Sequence, residues 1–195
     1  IGQGLMAARK FNEAEILYPQ SIWAPRASLM SAYSYYYFDS YRQAIQEIDR
    51  YLKKYPNHQN KDYAFYLKSV SYYNQISNEK KDLGPIVEAK KNFEYIINNY
   101  PESEFATDSE YKLELINEIL ASKEMYIARF YMEKEKWIPS INRFKKVVKD
   151  YDKSIYVEEA LFRLVEIHYR IGLEDEAKKY ANLLGYNYQS SQWYE

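Results

Sequence analysis

Four segments of the chain carry the same apolar stripe, and a stripe repeated at this spacing leaves few folds open. They are Ala44, Ile48, Tyr51/Leu52 and Tyr55; Ala89, Phe93, Ile96/Ile97 and Tyr100; Ser140, Phe144, Val147/Val148 and Tyr151; and Ala177, Ala181, Leu184 and Tyr188. Each steps i, i+4, i+7 or i+8, then i+11, which is one buried face of an amphipathic helix. A small residue heads each stripe and lets a second helix approach closely. At the tail, Tyr55-Pro56 and Tyr100-Pro101 stop the helix, because proline lacks an N–H and restricts the residue before it. Asp152 and Gln189 stand at that place in the last two segments.

A second signal follows the stop. YPQSIWA (18–24), YPESEFA (100–106) and YDKSIYV (151–157) place a serine three residues after the tyrosine and an aromatic residue two further on. Ser21, Ser103 and Ser154 are predicted N-caps of the following helices, so each unit reads as helix, turn, helix. Successive stripe heads lie 45, 51 and 37 residues apart, longer than the roughly 34 of a tetratricopeptide repeat, whose small, aromatic and proline positions they match. Ala44 falls on that repeat's alanine, Pro56 on its proline, and Ala32 and Tyr35 on its first-helix positions. The extra length lies in a polar insertion, QISNEKKDLGP (75–85), and in one long first helix. There Leu113, Ile116, Leu120, Ile127 and Tyr131 keep one face over about 27 residues, roughly 40 Å.

The expected fold is therefore all-α, a tetratricopeptide-repeat α-solenoid of about five helix-turn-helix units. It forms a single array over 1–195, with units near 1–19, 20–56, 57–101, 102–152 and 153–195. One unit breaks the pattern. From Ala44 to Pro56, Ala89 to Pro101 and Ser140 to Asp152 is 12 residues, whereas from Ala14 to Pro19 is five. About seven residues are expected to be missing between Ala14 and Glu15. The abrupt start, IGQGLMAARKF inside a helical pattern, reads as a trimmed fragment.

Composition narrows the function. Net charge is −1, which supplies no basic field for nucleic acid. No apolar run approaches the roughly 18 residues of a membrane helix, and with no cysteine disulfides and thiolate metal sites are ruled out. His58 and His168 have no metal-ligand spacing, and there is no nucleophile motif or phosphate loop. Glu158, Glu159, Asp175 and Glu176 read as first-turn or solvated helix charges. The expectation is no enzyme, with no catalytic, cofactor-binding or metal site.

The chain has 24 tyrosines against 8 phenylalanines, concentrated in SAYSYYYFDSYRQA (31–44). With Ala32 and Tyr35 packed, Tyr33, Tyr36 and Tyr37 share a face with Arg26 and Leu29. Three readings stay open: rings packed on the next unit, a tyrosine-lined groove for extended peptides, or the codon habit of an A/T-rich genome. Arg26 is the sole basic residue there, which disfavours a clamp for a C-terminal carboxylate.

IDRYLKKYPNHQNKDYAFYLKSV (48–70), with Pro56, His58, Asn60, Asp62 and Tyr63 in a specific pattern, resembles the BamD family. YPESEFATDSEYKL (100–113) and FYMEKEKWIPSINRFKKVVKDY (130–151) extend the likeness over nearly the whole chain. These are the tetratricopeptide lipoproteins of the outer-membrane β-barrel assembly machinery. The resemblance implies a periplasmic scaffold on the outer membrane of a Gram-negative bacterium, held by a lipid anchor absent from this fragment. It implies as partners the last POTRA domain of BamA, met by the C-terminal units, and accessory lipoproteins of the complex. Unfolded outer-membrane proteins would be met by the N-terminal units. The family's BamA-contacting arginine falls on Arg143, beside Asn142 and near Trp137; a solvated helix charge is the competing reading. The family's basic residue after the first aromatic falls on Asn12. Another tetratricopeptide adaptor, of the cell-division or chaperone co-factor kind, is the alternative.

Overall fold

A computed structural model describes residues 2–75 and 83–194, with side chains from residue 5 onward. The described residues form helices and no strand: α1 (Gly2–Leu17), α2 (Ala24–Tyr37), α3 (Tyr41–Lys54), α4 (Lys61–Tyr73), α5 (Gly84–Asn99), α6 (Glu104–Glu133), α7 (Trp137–Asp150), α8 (Val157–Arg170) and α9 (Glu174–Asn187). Most of the 75–85 insertion lies outside the described residues.

The second helices of the pairs α2–α3, α4–α5, α6–α7 and α8–α9 bury the predicted stripes. Ala44, Ile48 and Tyr51 have no solvent exposure, nor do Ala89, Phe93 and Ile96, or Ser140, Phe144 and Val147. In α9, Ala177 and Leu184 are buried while Ala181 stays half-buried. Ser140, standing where the other stripes have alanine, spends its hydroxyl on the Ala128 carbonyl of α6 at 2.9 Å, so the polar substitute carries no buried orphan.

Tyrosine ends these helices. Tyr55, Tyr100, Tyr151 and Tyr188 are the C-caps of α3, α5, α7 and α9, each donating its N–H to the carbonyl four residues back. After them comes a turn closed by serine. Ser21, Ser103 and Ser154 accept the N–H two residues on, from Trp23, Phe105 and Tyr156, at 3.2, 3.4 and 3.2 Å. The expected N-caps are thus turn formers in two cases, since α2 and α8 begin three residues past the serine. Two further copies escaped the sequence reading. Ser191, three residues after Tyr188, accepts the Trp193 N–H at 3.2 Å. His58, three after Tyr55, accepts the Asn60 N–H on Nδ1 at 3.3 Å and receives the buried Tyr51 hydroxyl at 2.7 Å.

Each later serine also donates its hydroxyl to an acid on an earlier first helix: Ser103 to Asp62 at 2.7 Å, Ser154 to Glu118 at 2.7 Å, and Ser191 to Glu158 at 2.6 Å. Glu158 is therefore engaged rather than simply solvated. Glu159 is 9% exposed and takes both Nε and Nη2 of Arg129. These acids lie 30 to 41 residues from their partners, beyond the reach of any local pattern.

The turns of the pairs α2–α3, α6–α7 and α8–α9 reverse through a left-handed residue: Asp39 (φ 58°), Glu135 (φ 54°) and Gly172 (φ 79°). At each, the next N–H reaches back to a carbonyl five residues earlier, as in Ser40 to Tyr35 at 2.9 Å and Leu173 to His168 at 2.8 Å, the double closure of a Schellman motif.

The chain divides into two compact units, Ile1–Glu114 and Leu115–Glu195. In the first, α2 packs on α1 and α3, α3 on α4, and α4 on α5, and α2 also meets α4. In the second, α8 packs on α7 and α9, around Val157, Leu161 and Leu184. Packing of one hairpin on the next, as α3 on α4 and α7 on α8, is the repeat architecture.

α1 runs as one helix through Ala14 and Glu15, and the Tyr18 N–H bonds to the Ala14 carbonyl at 3.0 Å. Nothing in FNEAEIL breaks a helix. Glu15, fully buried, accepts Lys54 and the Tyr55 hydroxyl at 2.8 Å each, tying α1 to α3. Arg50 approaches it at 2.8 Å.

Two changes test this packing by urea unfolding. Phe93→Ala should cost about 3–5 kcal/mol, the range for emptying a buried aromatic site. Glu135→Gly should stabilise by about 0.5–1 kcal/mol, because relief of the left-handed strain exceeds the extra flexibility of glycine in the unfolded chain.

Candidate functional site

Two surfaces hold the residues singled out by sequence, one in each compact unit. In the second unit, Arg143 lies on α7 six residues after Trp137. At about 100° per residue this puts the two roughly 120° apart around the helix, so the structure does not bring them together. Trp137 instead lies under the guanidinium of Arg170, 5.5 Å from the ring centroid. Asn142 is exposed.

Arg143 meets an acid that sequence reasoning did not select. Its Nη1 donates to Oε2 of Glu124 on α6 at 2.7 Å, and Lys146, one turn further along α7, donates to Oε1 of the same carboxylate at 2.7 Å. The Glu124 side chain is 10% exposed against 40% for Arg143 and 41% for Lys146. Burial raises the Glu124 pKa, but the bonds from Lys146 and Arg143 more than offset it, and the carboxyl lies below its ordinary value. Arg143 is thus a partly exposed helix charge that also pairs within the chain. The signal available in sequence was the Arg143–Lys146 spacing, i and i+3 on one helix face; the acid between them is 19 residues from Arg143.

In the first unit, rings from α2 and α4 share a surface. Tyr33 lies 6.4 Å from Tyr36 and 6.1 Å from Tyr37, and Tyr36 lies 5.9 Å from Tyr41. Asn74, at the end of α4, donates to the Tyr36 hydroxyl at 3.2 Å. Burial, with the Tyr33 and Tyr36 hydroxyls nearby, pushes the Tyr63 phenol up to about 12. Tyr33 and Tyr36 are half-buried and Tyr37 is 66% exposed. Leu29 does not belong to this surface: it is 5% exposed, because the short residues Ser28, Ser31 and Ala32 draw that side of α2 into the core. Arg26 is exposed and stacks over Trp23, 5.4 Å from its centroid. Packing and an accessible ring surface thus coexist on one helix.

The Pro56-to-Tyr63 pattern is structural in detail. His58 closes its turn as above, Asp62 receives Ser103, and Tyr63 contacts Phe105 at 5.4 Å. A surface cavity of about 520 Å³ lies between Gln59, Asn60, Asp62, Tyr63, Glu104 and Phe105. His168 is buried, with Nδ1 donating to the Leu164 carbonyl at 2.6 Å. Asn12 accepts Arg50 at 2.9 Å, so a guanidinium from α3 supplies charge beside it. Among the described residues no group of three His, Asp or Glu could hold a metal ion, and no helix is long and apolar enough to cross a membrane.

Paired helices, small-headed stripes and Tyr-x-x-Ser turns define a tetratricopeptide-like helical repeat protein. The chain belongs to the YfiO family of outer membrane lipoproteins, which matches residues 2–183. It is 40% identical over 188 residues to the outer membrane protein assembly factor BamD of Rickettsia prowazekii, covering 96% of this chain and 75% of that protein. The BamD of Caulobacter vibrioides is 38% identical over 184 residues, 94% of this chain and 60% of the relative. That of Neisseria meningitidis serogroup B is 30% identical over 174 residues, 84% and 65%.

A carboxylate held below its ordinary value of 4.5 contributes stability that is present above that value and is lost as pH falls through the lower folded value. Glu124→Gln should therefore lower the urea midpoint at pH 7 and shrink the loss of stability between pH 5 and 3; unfolding curves at the three pH values check it.

Proposed function

We propose that this chain is a non-catalytic scaffold for outer-membrane protein assembly. It works at the periplasmic face of the outer membrane, on a lipid anchor outside the chain described here. The second unit docks a POTRA domain of BamA through Arg143, with Asn142 and Trp137 on neighbouring faces of α7. Accessory lipoproteins complete the complex. The tyrosine surface of α2 and α4 receives segments of unfolded outer-membrane proteins, its rings offering apolar contact and its hydroxyls hydrogen bonds.

The observation that carries this reading is the family membership over residues 2–183, together with an arginine on α7 that stays 40% exposed despite its ion pair. A planar guanidinium suits a partner carboxylate bidentately. The alternative adaptor, taking peptide segments of another pathway, would use the tyrosine surface without Arg143.

A pull-down with the BamA POTRA region separates them. Arg143→Ala should abolish capture, by removing the guanidinium from the partner's acid, while Lys146 keeps Glu124 paired and the helical circular dichroism stays unchanged; undiminished capture removes Arg143 from the interface. Tyr37→Ala, at the most exposed ring, should weaken binding of an unfolded barrel segment several-fold and leave POTRA capture intact.

A further inference from the structure

Each arginine that pairs inside the chain must choose which edge of its guanidinium to spend. Nε and Nη2 form the side edge that matches both oxygens of a carboxylate; Nη1 lies at the other end. Arg129 gives Nε and Nη2 to Glu159. Arg50 gives Nε and Nη2 to Glu47. Arg163 donates Nη1 to Glu166 at 2.8 Å; Arg129 and Arg50 have used the Nε/Nη2 edge internally, on both oxygens of Glu159 and on one oxygen of Glu47.

Arg143 has not. Its one bond among the described residues runs from Nη1 to Glu124, which leaves Nε and Nη2 without a partner on a side chain 40% exposed. Glu124 itself cannot swing away easily. It is nearly buried, and its second oxygen is taken by Lys146 at 2.7 Å. The three groups carry two positive charges and one negative, so the cluster keeps a surplus of one positive charge beside the spare edge.

We infer that Glu124 and Lys146 are positioning residues: they grip Arg143 by Nη1 and present its Nε/Nη2 edge, already oriented, to a carboxylate on a partner protein. Holding the side chain in one geometry before the encounter removes part of the ordering cost of binding. The opposite function, a latch that Glu124 must release, would have consumed the bidentate edge, as Glu159 does with Arg129. This inference rests on the proposed docking role of Arg143 for its partner, but the positioning itself is a property of the free chain.

Two measurements decide it. In the first, binding of the POTRA region is followed by surface plasmon resonance for wild type, Glu124→Gln, Arg143→Lys and the double variant, each first checked for cooperative thermal unfolding. Glu124→Gln removes a negative charge, so a site acting by charge alone would bind an acidic partner more tightly. Positioning predicts the reverse: about tenfold weaker binding, the scale of one lost charge-assisted hydrogen bond, expressed as faster dissociation with association unslowed. Arg143→Lys has no fork to orient, so Glu124→Gln should add little in that background. Equal or tighter binding by Glu124→Gln, or an undiminished effect in the lysine background, overturns the inference.

The second measurement needs no partner. Nitrogen NMR of the Arg143 side chain in the free protein should show hindered rotation about the Nε–Cζ bond, lost in Glu124→Gln. Free rotation in both overturns the inference. Failure of the wild type to bind POTRA, with hindered rotation intact, sinks the partner reading alone and leaves the positioning supported.

Discussion

The fold depends on close approach at the small residue that heads each stripe. Ala44, Ala89 and Ser140 are fully buried and Ala177 nearly so, and none offers more than a methyl or hydroxyl to hold a neighbouring helix away. That approach seats the larger residues one and two turns along: Ile48 and Tyr51, Phe93 and Ile96, Phe144 and Val147, Leu184. A buried aliphatic or aromatic side chain contributes roughly 1.5–3 kcal/mol, and dispersion adds to it only at contact distance. A hairpin alone would leave these faces wet, so pairs are stable where each covers the next.

Polar chemistry then sets where one pair ends and the next begins. The C-capping tyrosine, the serine or histidine three residues later, and the acid that receives the serine recur as a set. The hydroxyl of each later serine is a short bond between a turn and a first helix dozens of residues earlier. Such bonds contribute about 1 kcal/mol each, less than the stripes, but their geometry is specific where apolar contact is not. They also answer the tyrosine excess in part. Several tyrosines are components of this joint, as Tyr51 with His58 and Tyr55 with Glu15 are, whereas Tyr37 remains an accessible ring.

What could be read from sequence divides along the same line. The stripes were legible because their period is local, and the length of α6 because its apolar face continues without a break. Ala121, Met125 and Ala128, fully buried on α6, were missed; the two alanines carry little periodic signal. Leu29 was placed on the outer face by helical geometry that took no account of how deeply Ser28 and Ser31 let α2 sink. The partners of the acids were out of reach for a different reason: Glu159 stands in the first turn of α8 as read, and Glu124 was not singled out, because residues 30 and 19 positions away arrive beside them only in the fold. Arg143 came from family resemblance alone, and its grip by Glu124 and Lys146 could come only from the structure.

The close-approach claim is most directly tested by adding bulk at a stripe head and comparing it with the same residue on the solvent side of the same helix. Thermal unfolding followed by circular dichroism would compare Ala89→Leu with Lys91→Leu, both on α5. Overpacking of a filled site costs about 1–3 kcal/mol, so the melting temperature should drop by several degrees for Ala89→Leu and hardly move for Lys91→Leu. Equal melting temperatures for the two variants would mean that the helices do not meet at the small residues, and the stacked-pair architecture would lose its physical basis.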